Sequence, residues 1–315
     1  MSDLYAGGEL LAEVVRSEFV ESRHHGSVVV LDANGEVAAW AGDVLGAVFP
    51  RSSVKPLQAV GMLRAGLDLA GPDLALAAAS HRGQEAHISG VREILDKSGI
   101  TADDLRCPPD YPLAEDARDA VVRAGHRRER IFMNCSGKHA GMLRTARAND
   151  WPLETYLDPA HPLQQRLAAT VEELAGEPIR ATGVDGCGAP VFAFSLRGLA
   201  GAFLRLVSAP EGSGERAVAD AMRRYPLLVS GDDPGEDDTR LMRAVPGLLL
   251  KGGAEGVAAA ALPGVGAVAL KIDDGGMRAR LPVLAAAFAR LGVNLPGQVP
   301  VFGGGREVGV VRSVW

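Results

Sequence analysis

Apolar and β-branched segments near both ends of the chain predict strands in those two regions. Residues 28–32 and 36–40 flank Ala33-Asn34-Gly35, a turn sequence typical of a β-hairpin, and residues 10–20 have a strand-like pattern. Towards the other end of the chain, strands are predicted over residues 245–250, 256–261, 265–272 and 307–314, with a closing helix over 282–291.

The middle of the chain has the apolar spacing of helices. They are predicted over residues 52–66, 73–79, 84–98, 114–125, 136–148, 162–175, 193–207 and 213–224. A short strand is predicted over 179–184, and the acidic, turn-rich segment 231–238 is predicted to be a mobile loop.

Strands at both ends around a helical middle predict an α+β fold. In this fold an antiparallel sheet is built from both termini and carries a helical subdomain. We expect a single catalytic domain over residues 1–315. Its sheet subdomain is expected at about 8–50 and 240–315, and its helical subdomain at about 51–239.

The composition argues against several classes of partner. The net charge of the 315 residues is −6 and no arginine-rich run is present, so we expect no nucleic-acid partner. No segment approaches the ~18 uninterrupted apolar residues of a membrane span. Residues 1–5 lack the start of a signal peptide, and three cysteines are not a disulfide framework. We therefore expect a cytoplasmic protein.

The clearest candidate for chemistry is a serine and a lysine three residues apart, Ser52 and Lys55. On a helix, side chains at this spacing share one face. A serine hydroxyl needs an adjacent base to act as a nucleophile, and a lysine can be that base because burial favours its neutral form. Ser-x-x-Lys is a known nucleophile motif. A capping serine beside a solvated lysine would explain the same residues.

Two further polar segments adjoin predicted helices. Ser80, in Ala79-Ser80-His81, follows an apolar helix and could face a cleft, although a helix cap with surface polar groups would also fit. The string Asn134-Cys135-Ser136-Gly137-Lys138-His139 opens another helix, whose N-terminal N–H groups favour an anion. The alternative there is a capped helix with Cys135 as a small buried apolar residue.

Two glycine-rich segments complete the candidates. Glycines flank Asp185 and Cys187 and would let the backbone approach a ligand, although a glycine-rich turn explains them equally. Thiolates suit zinc, so Cys135 and Cys187 could share a metal, but their spacing alone is not a metal motif. Lys251 ends an apolar strand before two glycines, as in the Lys-Thr-Gly element of Ser-x-x-Lys enzymes. A strand-end lysine at a turn is the alternative.

Together these segments resemble the L-asparaginase II family, the Rhizobium-type asparaginases. The resemblance runs from about residue 10 to residue 290, and the Asn-Cys-Ser-Gly-Lys-His string is its most specific part. It is carried by Arg51-Ser52-Ser53-Val54-Lys55-Pro56, Ala79-Ser80-His81, Asn134-Cys135-Ser136-Gly137-Lys138-His139, Asp185-Gly186-Cys187-Gly188-Ala189-Pro190 and Lys251-Gly252-Gly253-Ala254-Glu255-Gly256. It implies a fold similar to serine β-lactamases and penicillin-binding proteins.

The resemblance implies an L-asparaginase that works through a serine acyl-enzyme. Ser52 matches the nucleophile and Lys55 its activating base. Ser80 matches a second active-site serine, and Lys251 a second lysine that tunes protonation and relays protons. The segment before Lys251 is one residue shorter than the family pattern, so Lys271 is a second candidate for this lysine.

The resemblance also implies a zinc site and a substrate site. The zinc, one per chain, would be bound by Cys135, Lys138 and Cys187. Because Ser52 already supplies a nucleophile, we expect the ion to position the substrate or stabilise the structure, and a zinc-bound hydroxide as the attacking group is the alternative. The residues around the substrate would be Arg51, His139 and Asp185. Asp185 would pair the α-ammonium group of asparagine, and Arg51 or the helix start near Ser136 would hold its α-carboxylate. We also expect a homodimer.

The chain departs from the family pattern at one histidine position and at one cysteine position. Asp110 ends the stretch after Cys107 where the family often has a histidine, and Asp238 stands where some members have a cysteine. Alternative functions are a glutaminase, a β-lactamase-like acylase or esterase, and a non-catalytic thiol–zinc module. The absence of a signal peptide argues against the acylase, because peptidoglycan lies outside the membrane.

Overall fold

The structure is a computed structural model that describes residues 4–233 and 236–315. Part of the segment 231–238, predicted as a mobile loop, and residues 1–3, used in the signal-peptide prediction, lie outside the described residues.

Strands from both ends of the chain form one sheet, as the sequence predicts. The strands of the protein are β1 (Glu9–Arg16), β2 (Phe19–Asp32), β3 (Val37–Ala41), β4 (Ala47–Val48), β5 (Ala181–Val184), β6 (Pro190–Ser195), β7 (Leu249–Gly252), β8 (Val257–Leu262), β9 (Gly266–Ile272), β10 (Val299–Gly303) and β11 (Arg306–Ser313). In the described residues the large sheet has the order β10-β11-β1-β2-β9-β8-β7, with β3 also paired to β2, and every pair is antiparallel. The α+β prediction is confirmed.

The long strand β2 is the centre of this sheet. Its first half pairs with β1, and its second half lies between β3 and β9, with Val28 opposite both Ala41 and Leu270. Four consecutive residues, 28–31, are buried. Because side chains alternate between the two faces of a strand, both faces of the sheet are covered at this point.

Helices fill the chain between the two sets of strands and also cover the sheet. They are α1 (Lys55–Arg64), α2 (Gly71–Ala77), α3 (Glu85–Asp96), α4 (Glu115–Arg123), α5 (Ser136–Ala148), α6 (Pro162–Ala175), α7 (Leu196–Ser208), α8 (Gly214–Arg224), α9 (Pro226–Ser230), α10 (Asp237–Ala244) and α11 (Arg280–Ala289). Helices α7 and α11 both pack against β9. No helix in the described part of the chain combines the length and the apolar character needed to cross a membrane.

A small second sheet contains one predicted strand, β5, and two strands that were not predicted, β4 and β6. Its strand order is β4-β6-β5. The sequence pattern predicts a helix from residue 193, but the six residues of β6 are all buried and extended, and the helix begins only after Ser195. The Ser195 hydroxyl accepts a hydrogen bond from the N–H of Gly198 at 2.9 Å, which caps α7. A short apolar run has no period that separates strand from helix.

The turn that carries Ser52 packs directly on the end of β7. Residues Arg51–Val54 form a 3₁₀ turn before α1, and the Ser53 hydroxyl donates a hydrogen bond to the carbonyl of Lys251 at 2.8 Å. A Cβ on Gly253 would lie 2.5 Å from the Pro50 carbonyl oxygen. Only glycine allows this approach, so the pattern of small residues after Lys251 brings the sheet and the turn together.

Candidate active site

A cavity of about 220 Å³ opens where the 3₁₀ turn, the end of α2 and the end of β7 meet. Its walls include Ser52, Ser80 and Lys251, three of the residues predicted to be catalytic, and also Ala254 and Arg280. Sites for drug-sized molecules are commonly about 300–1,000 Å³, so this one suits a smaller molecule.

Lys55 lies behind this cavity and connects it to a group of thiols. Its ammonium is buried and donates to the Ala79 carbonyl at 2.6 Å, the Ser80 hydroxyl at 2.9 Å and the Cys135 sulfur at 3.0 Å. These three acceptors use the three protons of an ammonium group. No hydrogen bond joins the Ser52 hydroxyl to Lys55 within residues 4–233 and 236–315. Catalytic hydrogen bonds are often long without substrate and tighten in the reacting complex.

Lys251 is the second buried lysine at the cavity. Its Nζ donates to the Gly252 carbonyl at 2.8 Å and lies 3.5 Å from Oδ2 of Asp238. Burial lowers the pKa of Lys251 to about 8, against the opposing charge of Asp238. Lys271, the other candidate, lies on β9 and donates to the Glu255 and Ile272 carbonyls at 2.8 and 2.7 Å. The structure therefore places Lys251, and not Lys271, at the cavity with Ser52 and Ser80.

The predicted zinc ligands Cys135, Lys138 and Cys187 are buried next to one another. Lys138 Nζ lies 3.2 Å from the Cys187 sulfur. Cys135 and Cys187 interact through their side chains, and this interaction lowers the pKa of Cys187 and raises that of Cys135. Burial disfavours the Lys138 ammonium, but the two sulfurs outweigh burial and raise its pKa. The charge of Lys138 and the lowered pKa of Cys187 thus favour each other in this buried cluster.

His139 adds a nitrogen to this cluster. Its Nδ1 lies 2.6 Å from the Tyr156 hydroxyl, which also accepts a hydrogen bond from the N–H of Arg106 at 3.0 Å. The hydroxyl has one proton and two lone pairs, so either Tyr156 or Nδ1 can be the donor of this hydrogen bond. Nε2 is buried without a hydrogen-bond partner among the described residues. Burial lowers the pKa of His139, and the nearby Cys187 partly opposes this shift.

A zinc site is usually tetrahedral, with sulfur, nitrogen or oxygen ligands, and the predicted donor set here has a third protein ligand only if Lys138 takes part. Among the described residues, no three side chains of the types His, Cys, Asp and Glu are grouped to hold a metal. The two sulfurs and the Lys138 amine supply three donors of kinds that zinc accepts. A zinc bound by Cys135, Lys138 and Cys187 stays a prediction.

Arg51 and Asp185, predicted to bind substrate, pair with each other. The Arg51 Nε donates to Oδ1 of Asp185 at 2.7 Å, and its Nη1 lies 3.8 Å from Oε1 of Glu255. Arg51 has a φ of 51°, which costs a non-glycine residue of order 1–3 kcal/mol. The ion pair helps to hold this conformation, and the turn after Arg51 directs Ser52 into the cavity. Neither partner is among the residues that line the cavity.

Two charged residues of the cavity wall, Asp238 and Arg280, carry no sequence signal of a site. Asp238 Oδ2 accepts the Gly252 N–H at 2.7 Å beside Lys251, and Arg280 begins α11. In the sequence Asp238 is noticeable only as a departure from the family pattern. Arg280 belongs to no motif, because its place at the site depends on how α11 packs on the sheet.

The sequence model of the L-asparaginase II family matches residues 12–304 of this chain. The chain belongs to the L-asparaginase II family. This match covers every candidate residue named above, from Arg51 to Arg280. No curated protein matches the chain.

Several solved structures are similar in outline. A β-lactamase from Mycobacterium bovis is 19% identical, with 85% of this chain and 95% of that chain covered and a TM-score of 0.47. Mglu in its native form is 15% identical, with 84% and 62% covered and a TM-score of 0.45. EstCE1, a hydrolase with promiscuous acyltransferase activity, is 13% identical, with 90% and 94% covered and a TM-score of 0.40. Similarities this weak support no conclusion about activity.

Proposed function

We propose that this member of the L-asparaginase II family hydrolyses L-asparagine to L-aspartate and ammonia through an acyl-enzyme on Ser52. The observation that carries the proposal is the cavity shared by Ser52, Ser80 and Lys251, with Lys55 in contact with Ser80 behind it. Two hydroxyls and two amines around one small cavity provide a nucleophile, a base and a route for protons.

Acylation requires Lys55 in its neutral amine form. A neutral amine has two protons and one lone pair, so Lys55 can keep two of its three contacts while its lone pair takes the Ser52 proton. The Ser52 oxygen then attacks the side-chain carboxamide carbon of asparagine. The N–H groups of Ser52 and Ala254 have no acceptor among residues 4–233 and 236–315 and are proposed to stabilise the oxyanion.

The leaving ammonia needs a proton, and Ser80 is placed to deliver it. Its hydroxyl accepts from Lys55 at 2.9 Å, so the proton taken from Ser52 can pass through Ser80 to the leaving nitrogen. Lys251, with its pKa lowered by burial to about 8, exchanges protons near neutral pH and can restore the relay. Water then attacks the acyl-enzyme and releases aspartate.

The position of the carboxamide relative to Ser52 favours asparagine over glutamine. The extra methylene of glutamine would move the carboxamide by more than an ångström from Ser52, and a misplacement of about that size can cost about 10²-fold in rate. Asp185 is the family-implied partner of the α-ammonium group, and it is held by Arg51 at 2.7 Å. A substrate amine at Asp185 would share this carboxylate with Arg51.

A zinc ion fits the proposal as an auxiliary group. Cys135, Lys138 and Cys187 would hold it, and when bound it would supply positive charge that positions the substrate. Lys138 would have to lose its proton, which its raised pKa opposes. The nucleophile is already supplied by Ser52, so no step of the hydrolysis depends on the metal. Zinc binding, a homodimer and a cytoplasmic location stay predictions.

Ammonia release from both amides, with and without added zinc, tests the proposal. The expected result is release from asparagine that exceeds release from glutamine and is lost in Ser52→Ala. Nitrocefin provides the control for a β-lactamase-like acylase. Turnover of nitrocefin or glutamine without turnover of asparagine would overturn the proposed substrate, and full activity of Ser52→Ala would overturn the nucleophile.

A further inference from the structure

Arg280 is a cation on the cavity wall without a carboxylate partner. Its Nη1 reaches only the Val257 and Gly253 carbonyls, at 3.2 and 3.4 Å. Its Nε is buried and has no acceptor, and no carboxylate of the described residues lies within ion-pair distance of it. A partly buried guanidinium without an anion is costly, and the cost is recovered when a ligand supplies one.

The carboxylates nearest to this cavity are already engaged. Asp238 accepts the Gly252 N–H at 2.7 Å and lies 3.5 Å from the Lys251 ammonium. Glu236 pairs with Arg82 at 2.9 Å and accepts from the Ser230 hydroxyl at 2.9 Å. Both carboxylates therefore have other partners, and Arg280 is left to bind an anionic group of a ligand in the cavity.

The two groups expected from the sequence to hold the substrate carboxylate are also occupied. Arg51 is bound to Asp185 at 2.7 Å and does not line the cavity. The helix start at Ser136 is fully buried, and the Ser136 hydroxyl donates to the Ile131 carbonyl at 2.8 Å. Arg280 lies on the same wall as Gly253 and Ala254, next to the proposed oxyanion site.

We propose that Arg280 binds the α-carboxylate of the amino-acid substrate and thereby selects substrates that carry a carboxylate near the amide. This inference rests on the proposed function for the identity of the substrate, but the binding of a carboxylate can be measured separately. Arginine pairs a carboxylate through parallel N–H groups, which fixes its direction as well as its distance. The carboxamide would then be oriented towards Ser52 from the Arg280 side of the cavity.

The test compares two substrates that differ only in the carboxylate. Wild type, Arg280→Met, Arg280→Lys and Arg278→Met are assayed for ammonia release from L-asparagine and from 3-aminopropanamide, its analogue without the α-carboxylate. Arg278 is the matched control, because it is an exposed arginine two residues away whose Nε contacts Nε2 of His24 at 3.0 Å. Thermal unfolding of each variant checks that the fold is intact.

We expect Arg280→Met to lower kcat/KM for asparagine by roughly 30-fold or more, mainly through KM, because it removes one partner of a charge pair. The value for 3-aminopropanamide should change by less than about threefold, since no carboxylate is present to lose its partner. For asparagine, the kcat/KM of Arg280→Lys should lie between those of wild type and Arg280→Met. Arg278→Met should have the kcat/KM of wild type on both substrates. Equal losses on both substrates would mean that Arg280 only supports the Gly253 and Val257 carbonyls, and would overturn the proposal.

A binding measurement separates this inference from the proposed function. Calorimetry with succinamate, which keeps the carboxylate and the amide, is carried out on Ser52→Ala and on Ser52→Ala with Arg280→Met. Binding that weakens at least tenfold on loss of Arg280 supports the carboxylate site even if wild type releases no ammonia from asparagine. Equal binding by the two proteins, or no binding by either, overturns it whether or not asparagine is hydrolysed.

Discussion

Replacing Lys55 by methionine keeps the aliphatic stem but removes the ammonium that connects the cavity to the thiols. Three acceptors lose their donor, and the Ala79 carbonyl, 2.6 Å from Nζ, is buried. An unsatisfied buried polar group costs about 1–3 kcal/mol, and part of this is recovered because a buried charge is removed. Loss of a general base should lower kcat by at least about 10²-fold.

Lys271→Met is the matched control for this experiment. Lys271 is a partly buried lysine that donates to two carbonyls, those of Glu255 and Ile272, at 2.8 and 2.7 Å, outside the cavity. We expect both variants to unfold more easily than wild type, and only Lys55→Met to lose ammonia release. Turnover of Lys55→Met within a few-fold of wild type, or a similar loss in Lys271→Met, would refute the assignment of Lys55 as the base.

The other predictions concern the nucleophile, the second lysine, the substrate amine and the metal. Ser52→Ala should abolish ammonia release and change the unfolding free energy by about 1 kcal/mol or less; a few-fold loss would remove Ser52 from the mechanism. Between its folded pKa of about 8 and its ordinary value of 10.5, Lys251 binds fewer protons in the folded protein than in the unfolded one. The unfolding free energy of wild type should therefore rise with pH across this window relative to Lys251→Met, and parallel curves from denaturant titrations would contradict the lowered pKa. Asp185→Ala should raise KM for asparagine far more than KM for succinamate, which lacks the amine, and equal rises would show that Asp185 does not bind it. Purified protein should carry up to one zinc per chain, which elemental analysis should find lost in Cys135→Ala; unchanged zinc would place the metal elsewhere.

Local signals in the sequence predict those parts of the fold that local interactions determine. Helix α6 begins and ends at the predicted residues, because the His161 side chain caps its first turn, Pro162 suits its start and Gly176 ends it in a left-handed conformation. The turn sequence 33–35 likewise predicts the hairpin of β2 and β3. In each case the deciding residues are neighbours in the chain.

Features that depend on packing were not predicted. Strand β6 is extended because it pairs with β5 and with β4, a two-residue strand far away in the chain. Arg280 reaches the cavity only because α11 lies against the sheet that supplies β7. The sequence ranks Lys251 above Lys271 through the family pattern alone, because both lysines end or lie within apolar strands. The structure adds that Lys251 is the one whose strand meets the 3₁₀ turn.

The hydrogen bond from Ser53 to the Lys251 carbonyl joins residues 198 positions apart in the chain, and this separation has a consequence for folding. The entropic cost of closing a loop rises with its length, and folds dominated by distant contacts form slowly. Local helices such as α5 and α6 can form early, whereas the nucleophile turn meets the second lysine only after β2 has paired with β9. During refolding, ammonia release should therefore return later than helical circular dichroism, so that activity reports the closure of the sheet.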